Sequence, residues 1–307
     1  MITAVSLSPS LDVTYVVAAL EGIQRPLEVH RMAGGKALNA ARAAATMGAD
    51  AAALTVLGGG TGTMVADGSV AAGVKLEVVA GSETTRTCVS ISAQSDGGFT
   101  EIYERPTWVS PEAFEEVLAR LPVMLAARPG WCLVSGGMPQ GPGQGALARV
   151  VRVARAAGAH VAVDSHGPAL RTVLDSEGTD LLKVNRAEAT EALGVATERD
   201  LGEIVGLLRE RIGGVVVVTD GTSGAVATDG SRTIRAVLPR VGAYPVGSGD
   251  SFLGGMLAAL DRGDGLDAAL ALATACATAN ALTPGAAKFD GATARGLVGE
   301  VRLTDLG

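Results

Sequence analysis

From about Gly130 onward, short unbroken apolar runs alternate with longer stretches of amphipathic spacing. The runs are Trp131-Cys132-Leu133-Val134, Val161-Ala162-Val163, Leu181-Leu182-Lys183-Val184 and Val215 to Val218, with a helical pattern from Ala146 to Ala157 between the first two. This order predicts βαβ units. Because the runs do not alternate apolar with polar positions, their strands are expected to be covered by helices on both faces. That predicts an α/β fold with a doubly wound, mainly parallel sheet. Ligands of such sheets gather at the carboxyl ends of the strands. Polar residues stand at those ends here: Ser135-Gly136-Gly137, Asp164-Ser165, Asn185 and Thr219-Asp220-Gly221.

The N-terminal third has a different rhythm. Val13 to Ala18, Leu27 to Met32, Arg86 to Ala93 and Phe99 to Glu104 read as alternating or exposed strands between helical segments. They predict a small sheet over the crevice, built from inserted segments near residues 12–33 and 86–104 of a single domain spanning residues 1–307. No internal repeat, heptad run or low-complexity linker divides the chain. The uncharged stretch Ala268 to Ala287 has the ~20-residue length of a membrane span. It is rich in Ala and Thr and ends in Pro284-Gly285, so a buried, closely packed helix is the better reading.

Composition narrows the ligand. At 307 residues and 48% hydrophobic content the chain can bury a sizeable core. A formal charge of -7 gives no general attraction to nucleic acid or anionic lipid, so an anionic small molecule would need a local cluster of Lys, Arg and backbone N–H groups. Cys88, Cys132 and Cys276 form no Cys-x-x-Cys pair, and His30, His160 and His166 lack zinc spacing. A reducing cytoplasm is expected, since no basic segment followed by an apolar core opens the chain.

Two glycine-rich turns carry the chemistry. In Pro245-Val246-Gly247-Ser248-Gly249-Asp250 a turn with little side-chain bulk runs directly into an apolar helical segment. Backbone N–H groups and the helix start favour an anion there, beside the carboxylate of Asp250. The plain alternative is a strand-to-helix turn with Asp250 answering the helix dipole. The second turn, Gly34-Gly35-Lys36-Ala37-Leu38-Asn39, opens a helix whose first turn holds a Lys and an Asn able to grip a sugar hydroxyl or phosphate; its alternative is a helix start with solvated Lys36 and Arg42. No segment matches Walker A, and the protein-kinase signatures are missing. Gly58 to Gly62 lacks the third glycine of a dinucleotide turn and reads as a surface turn before a helix near Met64 to Ala72.

Together the two turns resemble the paired signatures of the ribokinase-like, or PfkB-type, carbohydrate kinases. Between them Lys183-Val184-Asn185-Arg186-Ala187-Glu188 is similar to that family's Asn-x-x-Glu segment, and Thr219-Asp220-Gly221-Thr222-Ser223-Gly224 to its nucleotide-binding turn. The resemblance implies ATP-dependent phosphorylation of a sugar hydroxyl, with Asp250 as base and Gly247, Ser248 and Gly249 as anion hole. A helix N-terminus should keep Asp250 ionised and weakly basic, which a loose transition state tolerates. The resemblance further implies that Asn185 and Glu188 organise Mg²⁺ through water, and that Lys183, Thr219, Gly221, Gly224 and Asn280 serve ATP. It leaves room for a monovalent cation and implies a homodimer paired through the lid.

Substrate choice rests on the N-terminal third. Ser8-Pro9-Ser10-Leu11-Asp12 and Thr85-Arg86 resemble the phosphosugar branch of the family, which includes 1-phosphofructokinases and tagatose-6-phosphate kinases. There Asp12 would bind sugar hydroxyls with Gly34, Gly35 and Asn39 nearby, while Arg86, Arg25 and Lys36 would bind a phosphate already on the sugar. The resemblance implies fructose 1-phosphate, converted to fructose 1,6-bisphosphate, as the expected substrate, with fructose 6-phosphate or tagatose 6-phosphate next. A kinase of an unphosphorylated sugar or nucleoside, and a sugar- or nucleotide-binding regulator without turnover, are the competing readings. The sequence departs from the family pattern at Ala37, Cys88, Gly137, Gln140, Pro245 and Ser248.

Overall fold

Neighbouring residues of each central strand pack into different cores, which is why the runs show no apolar–polar alternation. Ala4, Ala53, Leu133, Ala162 and Val217 face one hydrophobic cluster, while Val5, Leu54, Val134, Val163 and Val218 face the other. The computed structural model describes residues 1–95, 97–143, 145–176 and 178–307. Among them, ten strands form one sheet. From one edge its order is Arg302–Asp305, Thr233–Val237, Ala225–Thr228, Val215–Thr219, Leu181–Asn185, His160–Asp164, Trp131–Ser135, Ile2–Ser6, Ala51–Leu57 and Lys75–Ala80. Pairing is parallel from Val215–Thr219 through to Lys75–Ala80 and antiparallel among the three strands at the opposite edge.

Three of these strands, Ile2–Ser6, Ala51–Leu57 and Lys75–Ala80, come from the N-terminal third and were not anticipated there. Ala51–Leu57 is buried along its whole length, and its alanine-rich start carries the spacing of the preceding helix rather than a strand signature. The separate four-stranded sheet has the order Glu28–Gly34, Ser10–Val17, Thr87–Ala93, Phe99–Tyr103. The segment from Gly58 is less superficial than expected: the helix Gly59–Ala71 begins inside it, and the Gly58 N–H donates to Thr85 Oγ1.

Register sets up the site. Ser135 pairs with Asp164, Leu182 with Val163 and Asn185 with Thr219, so the strand ends that carry polar residues share one rim. Three helices then fix the distances across it. Lys36–Thr46 and Leu266–Ala281 both pack on Ser248–Asp261 so closely that a Cβ at Gly254 would lie 2.6 Å from Ala43 Cβ, and one at Gly255 would lie 2.7 Å from Cys276 Sγ. The uncharged stretch after Ala268 is therefore largely a buried helix, as its small residues require. Among the described residues no helix is long and apolar enough to cross a membrane.

Candidate active site

The helix Lys36–Thr46 begins where the small-sheet strand Glu28–Gly34 ends. Its polar residues Lys36, Asn39 and Arg42 recur every third position, so they occupy one side of the helix. Asn39 Nδ2 donates to Asp250 Oδ2 at 2.9 Å. Asp250 lies in the first turn of Ser248–Asp261, after Gly247 in the left-handed conformation at φ 80. A side chain at Gly247 would strike the backbone of the facing loop, its Cβ falling 2.3 Å from Ala287 N. Both features demand glycine.

At this helix start the Ser248 N–H donates to Pro245 O (3.1 Å) and the Ser251 N–H to Gly247 O (2.8 Å). The N–H groups of Gly249 and Asp250 have no acceptor among the described residues and lie at the wall of the adjoining cavity. They suit an anion. Of the three expected anion-hole residues, Ser248 thus has its amide already engaged. Asp250 also departs from expectation: burial dominates the helix end and pushes its carboxyl up to about 6, against the pull of Lys36, Asn39 and Lys183. The group is a better base than the sequence alone suggests.

Lys183 stands beside Asp164 on the neighbouring strand, and the two form a buried ion pair at 2.7 Å. Lys36 reaches the other oxygen of Asp164 at 3.1 Å and Glu188 at 3.3 Å. Burial would raise the Asp164 pKa, yet Lys183 and then Lys36 pull it down to about 2. The same network raises Lys36 above the ordinary lysine range, chiefly through Asp164. Asp164 appeared in the sequence only as a polar strand end. Its role as the centre of this charge network was not foreseen, because its partners lie 19 and 128 residues away.

Asn185 caps the helix Arg186–Leu193 in a reciprocal box with Glu188. Asn185 Oδ1 accepts from Glu188 N at 2.8 Å, and Glu188 Oε2 accepts from Asn185 N at 2.9 Å. No cluster of three or more His, Cys, Asp or Glu side chains able to hold a metal occurs among the described residues. Asn185 and Glu188 are nonetheless hard oxygen donors at the rim, of the kind that suits a divalent cation which keeps much of its water.

Asp12, Lys36, Asn39, Arg86 and Asp250 line one cavity of about 560 Å³, together with Gly35, Lys183 and Asn185. Gly34 lies behind Asp12, where a Cβ would come 2.1 Å from the Asp12 carboxyl carbon. Burial raises the Asp12 pKa, an effect reduced by Ser10, Arg42, Asn39 and Arg86. Arg86 donates from Nη1 to Glu104 O at 3.0 Å and from Nη2 to Ser8 O at 3.4 Å, while its buried Nε has no partner among the described residues. Arg25 is not brought into this cavity; it is exposed in the link between Ser10–Val17 and Glu28–Gly34, so the expected cationic cluster loses one member. Cys88, Glu101 and Tyr103 line the cavity without having been singled out as ligands.

Thr219, Gly221 and Gly224 line a second cleft of about 220 Å³, walled by Leu238, Val241, Phe252, Ala277 and Ala281. It shares Thr219, Gly221, Pro245, Ser248 and Gly249 with the first, so the two meet at the helix start. Asn280 was expected to touch nucleotide, but it is fully buried beneath the turn. Its Nδ2 donates to Val246 O (2.9 Å) and Ser248 Oγ (3.0 Å), and its Oδ1 accepts from Lys288 N (3.2 Å). It shapes the turn from below.

A cavity lined by charged side chains, among them a buried carboxylate, meets a cleft of few charges at a helix N-terminus, and these are the parts that phosphoryl transfer requires. A profile described as pfkB family carbohydrate kinase matches residues 6–290, and the chain belongs to that family. It is a sugar-phosphorylating phosphotransferase. Phosphofructokinase-2 from Escherichia coli, solved in complex with substrates and products, shares 24% identity at a TM-score of 0.90, covering 97% of this chain and 98% of its own. The same enzyme in a tetrameric inhibited form gives 23% and 0.87 over the same shares. A Thermotoga maritima protein described as a possible 1-phosphofructokinase gives 19% and 0.91, covering both chains completely. These likenesses establish the ribokinase-like fold.

Proposed function

We propose that the chain transfers the γ-phosphoryl group of ATP to a hydroxyl of a ketohexose that already carries phosphate, with fructose 1-phosphate yielding fructose 1,6-bisphosphate as the leading case and fructose 6-phosphate or tagatose 6-phosphate next. The observation that carries the phosphosugar assignment is Arg86: it lines the acceptor cavity, and among the described residues its guanidinium is held by two carbonyl oxygens and keeps a buried N–H without a partner. A guanidinium so placed suits a phosphate dianion.

In this reading Asp12 and Asn39 bind sugar hydroxyls and Asp250 accepts the proton of the attacking hydroxyl. The Gly249 and Asp250 amides stabilise charge on the transferred group, and Lys183 screens the phosphates from the Asp164 side. The cleft beside Thr219, Gly221 and Gly224, with few charged side chains, takes the nucleotide. Asn185 and Glu188 hold Mg²⁺ through water, which supplies charge neutralisation at the phosphates when bound. The small sheet acts as a lid, and its exposed Val29 and Ile102 support pairing with a second copy.

The exposure of Arg25 and the pairing of Lys36 with Asp164 and Glu188 favour a second reading, an unphosphorylated sugar as acceptor. Turnover of ATP with Mg²⁺ across fructose 1-phosphate, fructose 6-phosphate, tagatose 6-phosphate, fructose, ribose and adenosine decides between them. A preference for fructose or ribose over every phosphosugar would overturn the first reading. Sedimentation analysis tests the dimer.

A further inference from the structure

Arg42 is a buried guanidinium in the middle of the helix Lys36–Thr46, where the sequence allowed a solvated charge. Its N–H groups make four bonds: Nε to Ala287 O, Nη1 to Ala33 O, and Nη2 to both Ala286 O and Asn39 Oδ1. Among the described residues no carboxylate forms an ion pair with it; burial lowers its pKa, and Asp12 and Asp250 are the charges that oppose this. An apolar side chain would fill the space without the desolvation cost of a buried cation. The bonds show what the charge is used for.

Because Asn39 Oδ1 accepts from Arg42, the Asn39 amide has one orientation, with its NH₂ directed at Asp250. Ala33 is the penultimate residue of the small-sheet strand, before Gly34, which backs Asp12. Ala286 and Ala287 form the loop against Gly247, and Ala287 is the one non-glycine residue with positive φ among those described, at 48. One guanidinium therefore spans the floor of the sugar cavity, the base and the back of the anion hole.

We propose that Arg42 is a positioning residue for phosphoryl transfer, which sets the Asn39 amide toward Asp250 and holds the end of the strand Glu28–Gly34, beside Asp12, and the loop behind Gly247 at a fixed separation. The assignment rests on reading Asp12 as a sugar ligand and Asp250 as the base. It makes no contact with the nucleotide cleft, which gives the test its selectivity.

Arg42→Met and Arg42→Lys are compared with the parent enzyme by steady-state kinetics and by separate calorimetric titrations of ATP and sugar phosphate, with thermal melting as a check on folding. Misplacement on the order of 1 Å costs ~10²-fold, so Arg42→Met is expected to lower kcat by about that factor and to weaken sugar binding, while ATP affinity stays within ~2-fold. Arg42→Lys keeps the charge but cannot fork to four acceptors, and is expected to recover roughly tenfold of the lost kcat. A sugar kcat/KM within ~3-fold of the parent in Arg42→Met, or equal losses of ATP and sugar affinity in both variants, overturns the proposal. Should Arg42→Met fail to fold, an Arg42→Lys enzyme with parental kcat and KM overturns it alone. A parent enzyme that binds sugar phosphate but phosphorylates none of the panel counts against the substrate reading, and the binding titrations still decide the role of Arg42.

Discussion

The two sides of the site solve different problems with different materials. The cavity proposed for the acceptor sets the charged side chains of Asp12, Lys36, Arg86, Lys183 and Asp250 around one volume, with Asp164 and Arg42 buried behind it. The nucleotide cleft is walled by Leu238, Val241, Phe252, Ala277 and Ala281, and its charged wall residue Arg240 is tied to Glu300 through two 3.0 Å bonds. On the proposed function, charge is concentrated where a proton and a phosphoryl group would move, and shape suffices where a base would only be held. Substitutions on the acceptor side should thus cost orders of magnitude, and those in the cleft small factors.

The steepest loss is expected at Asp250. Asp250→Asn removes the proton acceptor while preserving size, and kcat should fall by ~10³-fold with ligand affinities largely kept. Rapid-quench turnover and calorimetry read the two parts separately; a variant with near-parental kcat would sink the role of base. The pH dependence follows with a defined sign. Since burial raises the folded pKa from 3.8 to about 6, the folded state holds an extra proton between those values, and the stability this gives is lost as pH rises through 6. Activity runs the other way, with kcat/KM expected to fall tenfold per unit below about pH 6. At pH 7 Asp250→Asn should unfold later, by on the order of 2–3 kcal/mol, because an ionised buried carboxylate has been removed.

Asp164→Asn attacks the same side through its charge network. Lys183 and Lys36 would then face each other without the carboxylate that separates them, and breaking a buried pair in this way costs ~3–5 kcal/mol. A urea midpoint shift with unchanged slope measures it. The depressed pKa of about 2 means that the carboxylate's contribution is present above pH 4 and fades as pH falls toward 2. An unaltered midpoint at pH 7 would show that the lysines find other partners.

Arg86→Gln should discriminate between acceptors. Loss of a charge-assisted bond to phosphate raises the KM for a sugar phosphate by ~10–100-fold and leaves that for an unphosphorylated sugar near its parental value. Equal changes for both acceptors would assign Arg86 to the architecture of the Ser8 and Glu104 loops that it bonds.

The same contrast decided what could be read from the chain. Strands after Gly130 showed themselves as valine- and leucine-rich runs, and the glycine turns at Gly34 and Gly247 marked both sides of the site. Ala51–Leu57 stayed hidden because an alanine-rich strand buried between helices has no alternation and weak β-branched content. Arg42 and Asp164 were missed for another reason: a buried charge is indistinguishable from a solvated one until its partners are brought near by the fold. The spacing of Lys36, Asn39 and Arg42 along an alanine-rich helix was the available signal, since a helix buried on its other sides can put polar residues only toward a site. Arg25 shows the converse: charge alone groups it with Arg86, and the fold leaves it exposed outside the cavity that Arg86 lines.

The smallest effect is expected at Thr278, and it tests the cleft's neutrality most sharply. Thr278 lines the nucleotide cleft, but its hydroxyl donates to Thr274 O at 3.0 Å one helical turn earlier. The Thr274 hydroxyl is likewise spent on Leu270 O at 2.8 Å. Such i−4 bonds leave the hydroxyl proton unavailable to a ligand. Thr278→Val keeps the shape and removes the hydroxyl, so KM for ATP should change by less than ~3-fold, the range of a minor contact in an apolar pocket. A rise above tenfold would mean that the hydroxyl turns from its helix to read the nucleotide base, and that the cleft, like the cavity opposite, recognises its ligand through directed polar groups.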